Sequence, residues 1–187
     1  MLYQTYMNPE AKEMNPKLHE SVKKYVVTDL TVKGGASRTE FNFHEKKIDD
    51  LSRLFNWIED VLPQAAFHFA QGSTDDDYDP TLLGFDPKRF RITECWGIEF
   101  NKGDTVEAHN HFPYSMSFCY YVRVPDKDTP LVLFNELGNS SDMMGEAVEI
   151  EDGMLCFFHA KTFHFVPPSQ SDGRCAIVGN ILYDPDI

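Results

Sequence analysis

Apolar positions change their period along the chain, from helical spacing before residue 90 to strand spacing after it. Ile48, Leu51, Leu54, Phe55, Ile58, Val61 and Leu62 recur every three or four positions. That period gathers them into one stripe and predicts a helix from about His44 to Leu62. Asn42, followed three residues on by Glu45, has the form of a capping box. Pro63 should stop or kink this helix, because its ring removes an N–H and crowds the preceding turn. A second short helical piece is expected over 64–71, ending at Gly72. Upstream, the polar segment 1–24 with Pro9 and Pro16 reads as an irregular arm and a short helix near 16–24. Tyr25–Val32 is β-branched and strand-like, and Gly34-Gly35 ends it.

From residue 91 the texture is short apolar runs separated by turn residues. Strands are predicted at 91–100, 105–111, 117–125, 131–135, 147–151, 154–159, 163–166 and 174–183. Turns fall at 102–104, 125–129, 138–145, 152–153 and 169–173. Strands at this spacing favour a β-sandwich or jelly roll. The expectation is one α+β domain over 1–187. Residues 1–90 are expected to form a helical support region on one outer face of a sheet, and 91–187 the jelly-roll core.

Composition narrows the functional classes. The 187 residues hold 30 acidic and 17 basic side chains, a formal charge of −13. That balance opposes phosphate backbones, and Lys23-Lys24 and Lys46-Lys47 are the densest basic pairs, so no nucleic-acid partner is expected. The longest apolar runs, Phe118–Val122 and Met154–Phe158, have five residues, against about 20 for a membrane span. Glu10, Glu13, Glu20 and Asp29 interrupt the first thirty residues, and no secretory signal is expected. Cys95, Cys119, Cys156 and Cys175 lack CxxC spacing and sit in strand-like sequence. They read as reduced core thiols in a cytoplasmic protein rather than as disulfides or a zinc site. Asp75–Asp79 looks like the start of a calcium loop, but Pro80 and Asp86 stand at its sixth and twelfth positions. A solvated surface loop is expected there.

His109 and His111 flank Asn110 in a strand-like segment. Side chains two apart on a strand share a face, so two imidazoles can meet one divalent ion. A lone histidine is more simply a hydrogen-bonded core or surface residue, which is the reading for His68 and His159. His164, however, lies 53 residues beyond His111, a distance that returns the chain of a jelly roll to a neighbouring strand. Three protein ligands would leave positions open on an octahedral metal, as catalytic sites do. Arg174 opens the apolar run 175–183. A guanidinium aimed into a barrel needs an anion, and its planar fork suits a carboxylate; the plainer alternative is an ion pair at the rim. By period two, Asn180 faces the same way as Arg174.

In the order Trp96, Gly103, His109-Asn-His111-Phe-Pro-Tyr-Ser-Met-Ser117, Tyr120-Tyr121-Val122, His164, Pro167, Arg174 and Asn180, residues 92–183 resemble a known family. It is the Fe(II)/2-oxoglutarate-dependent oxygenases, whose core is a double-stranded β-helix. The resemblance is to the small members with an HxH motif, a distal His and an R-x5-N ending, and it covers about half the chain. It implies Fe(II) held by His109 and His164, with His111 where the wider superfamily has Asp or Glu. Glu107 shares the strand parity and is the alternative third ligand, although it precedes His109. Arg174 would pair with the distal carboxylate of 2-oxoglutarate, and Tyr121, Ser117 and Asn180 are further candidates for cosubstrate contact. Ala176 departs from relatives that carry Ser there. The implied enzyme is a dioxygenase, a hydroxylase in expectation. It would use molecular oxygen and couple decarboxylation of 2-oxoglutarate to oxidation of a small-molecule or peptide substrate.

Two other readings stay open. Gly103-x5-His109-x-His111 and Gly153-x10-His164 fit cupin spacing, which allows metal chemistry without 2-oxoglutarate. Ser115 and Met116 stand where a cupin would carry Glu. The second is a non-catalytic jelly-roll interaction protein. Loops 72–90 and 136–146 are placed to act as lids. A homo-oligomer is compatible with the sequence.

Overall fold

The computed structural model describes residues 2–71, 86–126, 128–134 and 145–184. The acidic segment Asp75–Asp79, Gly72 and most of the two expected lids lie outside them. In chain order the elements are β1 (Tyr3–Met7), α1 (Ala11–Tyr25), β2 (Val27–Thr31), β3 (Ser37–Arg38), α2 (Asp49–Gln71) and β4 (Phe90–Phe100). Then follow β5 (Val106–His109), β6 (Met116–Arg123), β7 (Leu131–Phe134), β8 (Gly145–Val148), β9 (Met154–His159), β10 (Phe163–Val166) and β11 (Arg174–Tyr183).

Among the described residues these strands form two antiparallel sheets. The larger runs β1-β9-β6-β11-β4-β3-β2 and the smaller β5-β10-β7-β8. Strand periodicity explains the layering, since successive side chains point to opposite faces. On β6, Phe118, Tyr120 and Val122 join a core with Leu18 and Val22 of α1 and Leu54 and Ile58 of α2. Cys119 and Tyr121 join a second core with Leu133 of β7 and Val166 of β10. The large sheet is therefore covered by helices on one face and by the small sheet on the other. Strands buried on both faces read as continuous apolar runs, as Phe118–Val122 and Met154–Phe158 do. Gly97 of β4 permits the close approach of α1, because a Cβ there would lie 2.7 and 2.8 Å from the Val22 methyl groups.

Several expectations are corrected. Asn42 opens a 3-10 turn, Phe43–Glu45, instead of capping the long helix. Its side-chain amide donates to Glu45 Oε2 at 3.3 Å. The long helix starts at Asp49 and runs through Pro63 to Gln71. Burial of Leu62, Ala65, Ala66 and Phe67 continues its apolar face past the proline. That burial outweighs the single backbone hydrogen bond a proline removes. Likewise α1 begins at Ala11 and contains Pro16, because Met14, Leu18 and Val22 form one buried stripe at i, i+4 spacing. The N-terminal segment also contributes strands: β1 pairs with β9, and β3 with β4. All four cysteines are free and buried. Among the described residues no helix is long and apolar enough to cross a membrane.

Candidate metal centre

β5 and β10 pair antiparallel, with His109 opposite His164 and Val106 opposite Val166. Two β5 residues, Glu107 and Ala108, thus stand against Phe165 alone, which is a β-bulge. The bulge breaks the two-residue alternation. Val106 and His109 both line the cavity between the sheets. Glu107 and Ala108 are exposed and border a separate depression with Val132, Phe134 and Phe165. Glu107 therefore does not share the face of His109, and the parity expected for it is corrected. His111 lies two residues past the end of β5, where its N–H donates to Ala160 O at 2.8 Å. That bond ties it to the turn between β9 and β10.

The three imidazoles converge. Ring centroids are 4.3 Å apart for His109–His164 and 5.0 Å for each of the pairs with His111. One nitrogen from each lies within 4.8 Å of the other two. His111 and His164 are only 9% and 5% exposed. Nδ1 of His109 faces Glu107 O at 2.8 Å and Nδ1 of His164 faces Thr162 O at 3.2 Å. A carbonyl can only accept, so Nδ1 carries the proton and Nε2 keeps the lone pair. Burial, and then His109, pushes His111 down to about 3. Burial, followed by His109 and His111, holds His164 well below the ordinary imidazole range. His109 is lowered by burial and by Lys33, against the opposing bond to Glu107 O. Nε2 of His111 lies 3.3 Å from Nε2 of His164, and three neutral imidazoles whose ring nitrogens converge in this way form a donor set for a divalent transition metal.

The cavity has a volume of about 480 Å³ and extends from these histidines to Arg174. Arg174 is 1% exposed, and its Nη1 donates to Thr129 O at 2.8 Å with Asp128 Oδ2 3.9 Å away. Asp128 itself accepts from Ser169 Oγ at 3.0 Å and Gln170 N–H at 2.9 Å. The guanidinium carbon lies 5.0 Å from the Phe100 ring centre and 5.6 Å from that of Tyr121. Among residues lining the cavity, Arg174 Nε and Trp96 Nε1 are buried without a hydrogen-bond partner, and the buried Tyr121 hydroxyl meets the Cys119 thiol, a weak partner. Each such group costs about 1–3 kcal/mol when left unpaired. Buried donors gathered in one cavity wall call for an acceptor there, either water or a ligand. Burial pushes the Tyr121 phenol far above its ordinary range, so it stays a hydrogen donor.

Asn180 sits elsewhere in this wall, and Ser117 is bonded to it. Ser117 Oγ donates to Asn180 Oδ1 at 3.0 Å, and Asn180 Nδ2 donates to Glu94 Oε2 at 3.0 Å. The chain of bonds crosses three neighbouring strands, β6, β11 and β4. Ser117 is thereby committed to holding Asn180, while Asn180 and Glu94 line the cavity. Tyr120 faces the helices, donating to Asn15 Oδ1 at 2.7 Å. His68 contacts Gln4 at 3.1 Å, and His159 accepts from Lys161 N–H at 3.1 Å. Sequence reasoning missed Glu94, Asp128 and Thr129, and also Arg38 and Phe41 at the open end of the cavity. Glu94 alone left a signal, since it shares strand parity with Trp96.

No family model and no curated protein matches the sequence. Solved structures do. A Pseudomonas putida prolyl-4-hydroxylase is similar with a TM-score of 0.65 at 14% identity, covering 98% of this chain and 93% of that one. A viral collagen prolyl hydroxylase from Paramecium Bursaria Chlorella virus-1, solved as a 2OG complex, gives 0.67 at 11% identity, with 97% and 96% covered. A non-heme α-ketoglutarate-dependent carbocyclase from nogalamycin biosynthesis gives 0.67 at 13% identity, with 99% and 83% covered. At these identities the likeness is one of fold.

Proposed function

We propose that the chain is an Fe(II)- and 2-oxoglutarate-dependent oxygenase on a double-stranded β-helix, or jelly-roll, core. The observation that carries this reading is the pairing of two features in one cavity. A three-imidazole cluster lines it together with a buried guanidinium that keeps an unpartnered N–H. His109, His111 and His164 would hold Fe(II) through ring nitrogens. Arg174 would bind the distal carboxylate of 2-oxoglutarate, with the Tyr121 hydroxyl as a second donor. When bound, iron and 2-oxoglutarate supply the oxidising chemistry, with oxygen consumed and the keto acid decarboxylated.

The chain's own residues do the rest. Backbone carbonyls of Glu107 and Thr162 orient two of the imidazoles and fix their tautomers. Thr129 and Asp128 hold the guanidinium in place, and Phe100 and Tyr121 exclude water from it. Ser117 and Glu94 lock the Asn180 amide beside the substrate space. The prime substrate is a small molecule or peptide. Structures of this fold include hydroxylases and a carbocyclase, so the fold does not name the reaction partner. Four free buried thiols fit a reducing compartment, the cytoplasm.

One observation favours a second reading. The cluster contains no carboxylate among the described residues, where the wider oxygenase superfamily has Asp or Glu; the alternative is a metal enzyme of cupin spacing that ignores 2-oxoglutarate, although it too lacks its usual Glu. Adding Fe(II) and 2-oxoglutarate under nitrogen separates the two. The oxygenase develops a weak visible charge-transfer band that Arg174→Met removes. Metal binding with no band and no 2-oxoglutarate binding overturns the oxygenase reading.

A further inference from the structure

The cavity opens between residues that the metal and cosubstrate do not use. Phe41 and Phe112 are 45% and 65% exposed, and both line it. Among the described residues no other aromatic stands with the large exposed hydrophobics, which are otherwise Met7, Val27 and Leu182. Each of the two rings has a cation over it: Arg38 lies 4.0 Å from the Phe41 centre and Lys161 5.6 Å from that of Phe112. Phe41 also meets Trp96 edge-on at 5.0 Å, and Trp96 in turn lies beside His111 at 5.9 Å. This row leads from the opening to the imidazole cluster. Exposed aromatic surface beside a cavity marks a binding face, because water gains nothing from it.

Charge points to the kind of ligand. The chain carries −13 overall, yet Lys33 and Arg38 line the opening and Lys161 stands behind Phe112. Glu94 is the acid that lines the described cavity, and its carboxylate already accepts from Asn180 and from the Tyr114 hydroxyl. Arg38 makes one hydrogen bond among the described residues, from Nη1 to Thr39 O at 2.9 Å, leaving most of its N–H donors unused. A small cationic opening in an acidic protein focuses anions toward the cavity.

We propose that this opening selects an anionic prime substrate with a flat or apolar body, the acid group read by Arg38 and Lys33 and the body by Phe41 and Phe112. The proposal rests on the oxygenase reading only for the word substrate; the ligand preference is a property of the opening itself.

Phenylacetate, phenylacetamide and phenethylamine share one body and differ in charge, so calorimetric titration of the full chain with each tests the preference. Phenylacetate should bind at least about tenfold more tightly than the other two. Arg38→Met should erase that difference, and Phe41→Ala or Phe112→Ala should weaken all three. The preference should survive Arg174→Met, or Arg174→Gln if the first variant fails to fold by circular dichroism. Equal affinities, tighter binding of the amine, or no binding of any probe overturns the proposal. A preference that follows Arg174 instead of Arg38 also overturns it, by placing the anion at the deep end. Loss of the Fe(II)–2-oxoglutarate band, read separately, sinks the oxygenase reading without touching these outcomes.

Discussion

His109 of β5 and His164 of β10 occupy directly opposed positions of an antiparallel pair, with ring centres 4.3 Å apart. The bulge beside this pair turns Glu107 away from it, and the turn after β5 brings His111 in as the third imidazole. Metal content should follow that geometry. Measured by elemental analysis after anaerobic loading with Fe(II), His111→Ala should lose most of its metal while Glu107→Gln retains it. His111→Asp, which places a carboxylate in the cluster, should keep its metal. Retention by His111→Ala with loss in Glu107→Gln would reverse the ligand assignment.

Arg174→Met should weaken 2-oxoglutarate binding by about 10–100-fold, the worth of hydrogen bonds to a charged group. Iron content should be nearly unchanged, since the guanidinium belongs to the opposite end of the cavity. Equilibrium dialysis with labelled 2-oxoglutarate reads the first effect and elemental analysis the second. Unchanged affinity would leave Arg174 a purely structural partner of Asp128 and Thr129.

The histidines set a pH dependence in the metal-free protein. Their folded-state pKa values lie below the unfolded value of 6.5, at about 3 for His111. Below 6.5 the unfolded chain takes up protons that the folded chain refuses, so the unfolded state binds more protons and stability falls with falling pH. The loss begins as pH drops through 6.5 and continues toward about 3. Urea midpoints measured between about pH 7.5 and about pH 5 should decline, and His111→Asn should flatten the slope. A midpoint that rises on acidification would contradict the burial of these neutral rings.

Gly97→Ala tests the seat of α1 on the sheet. The new methyl would overlap the Val22 side chain, and overpacking of this kind costs about 1–3 kcal/mol. The double variant with Val22→Ala should recover part of that loss in a thermal or urea unfolding series. Additive losses in the double variant would show that the contact is not the cause.

Much of the fold was legible because burial writes itself locally. β4, β6 and β9 through β11 lie within two residues of their expected bounds; β6 and β9 carry continuous apolar runs, and Gly153, Pro167 and Asp184 stand at the ends of β9, β10 and β11. β1 and β3 left no such mark. Tyr3–Met7 is a strand only because β9 supplies an edge to pair with, and two residues at 37–38 are too few for any period. Pro63 and Pro16 misled for a related reason: a local rule about prolines competes with burial of a helix face that only the packed sheet provides. At the site, His109, His111, His164 and Arg174 stood out by residue type. Asp128, Thr129 and Phe41 did not, because Asp128 and Thr129 acquire their meaning from Arg174 and Phe41 from Trp96, each distant in sequence.

By itself, then, the sequence determined which side chains are available and on which runs they lie: imidazoles near the end of one strand and within another, and a guanidinium opening the last. Tertiary structure decided which of them meet. Strand parity predicts a shared face only while the ladder is unbroken, and the β5 bulge is made by hydrogen bonds to β10, whose residues lie more than fifty positions away. That one extra residue turns Glu107 to solvent and His109 inward, a choice no local pattern in residues 105–111 contains.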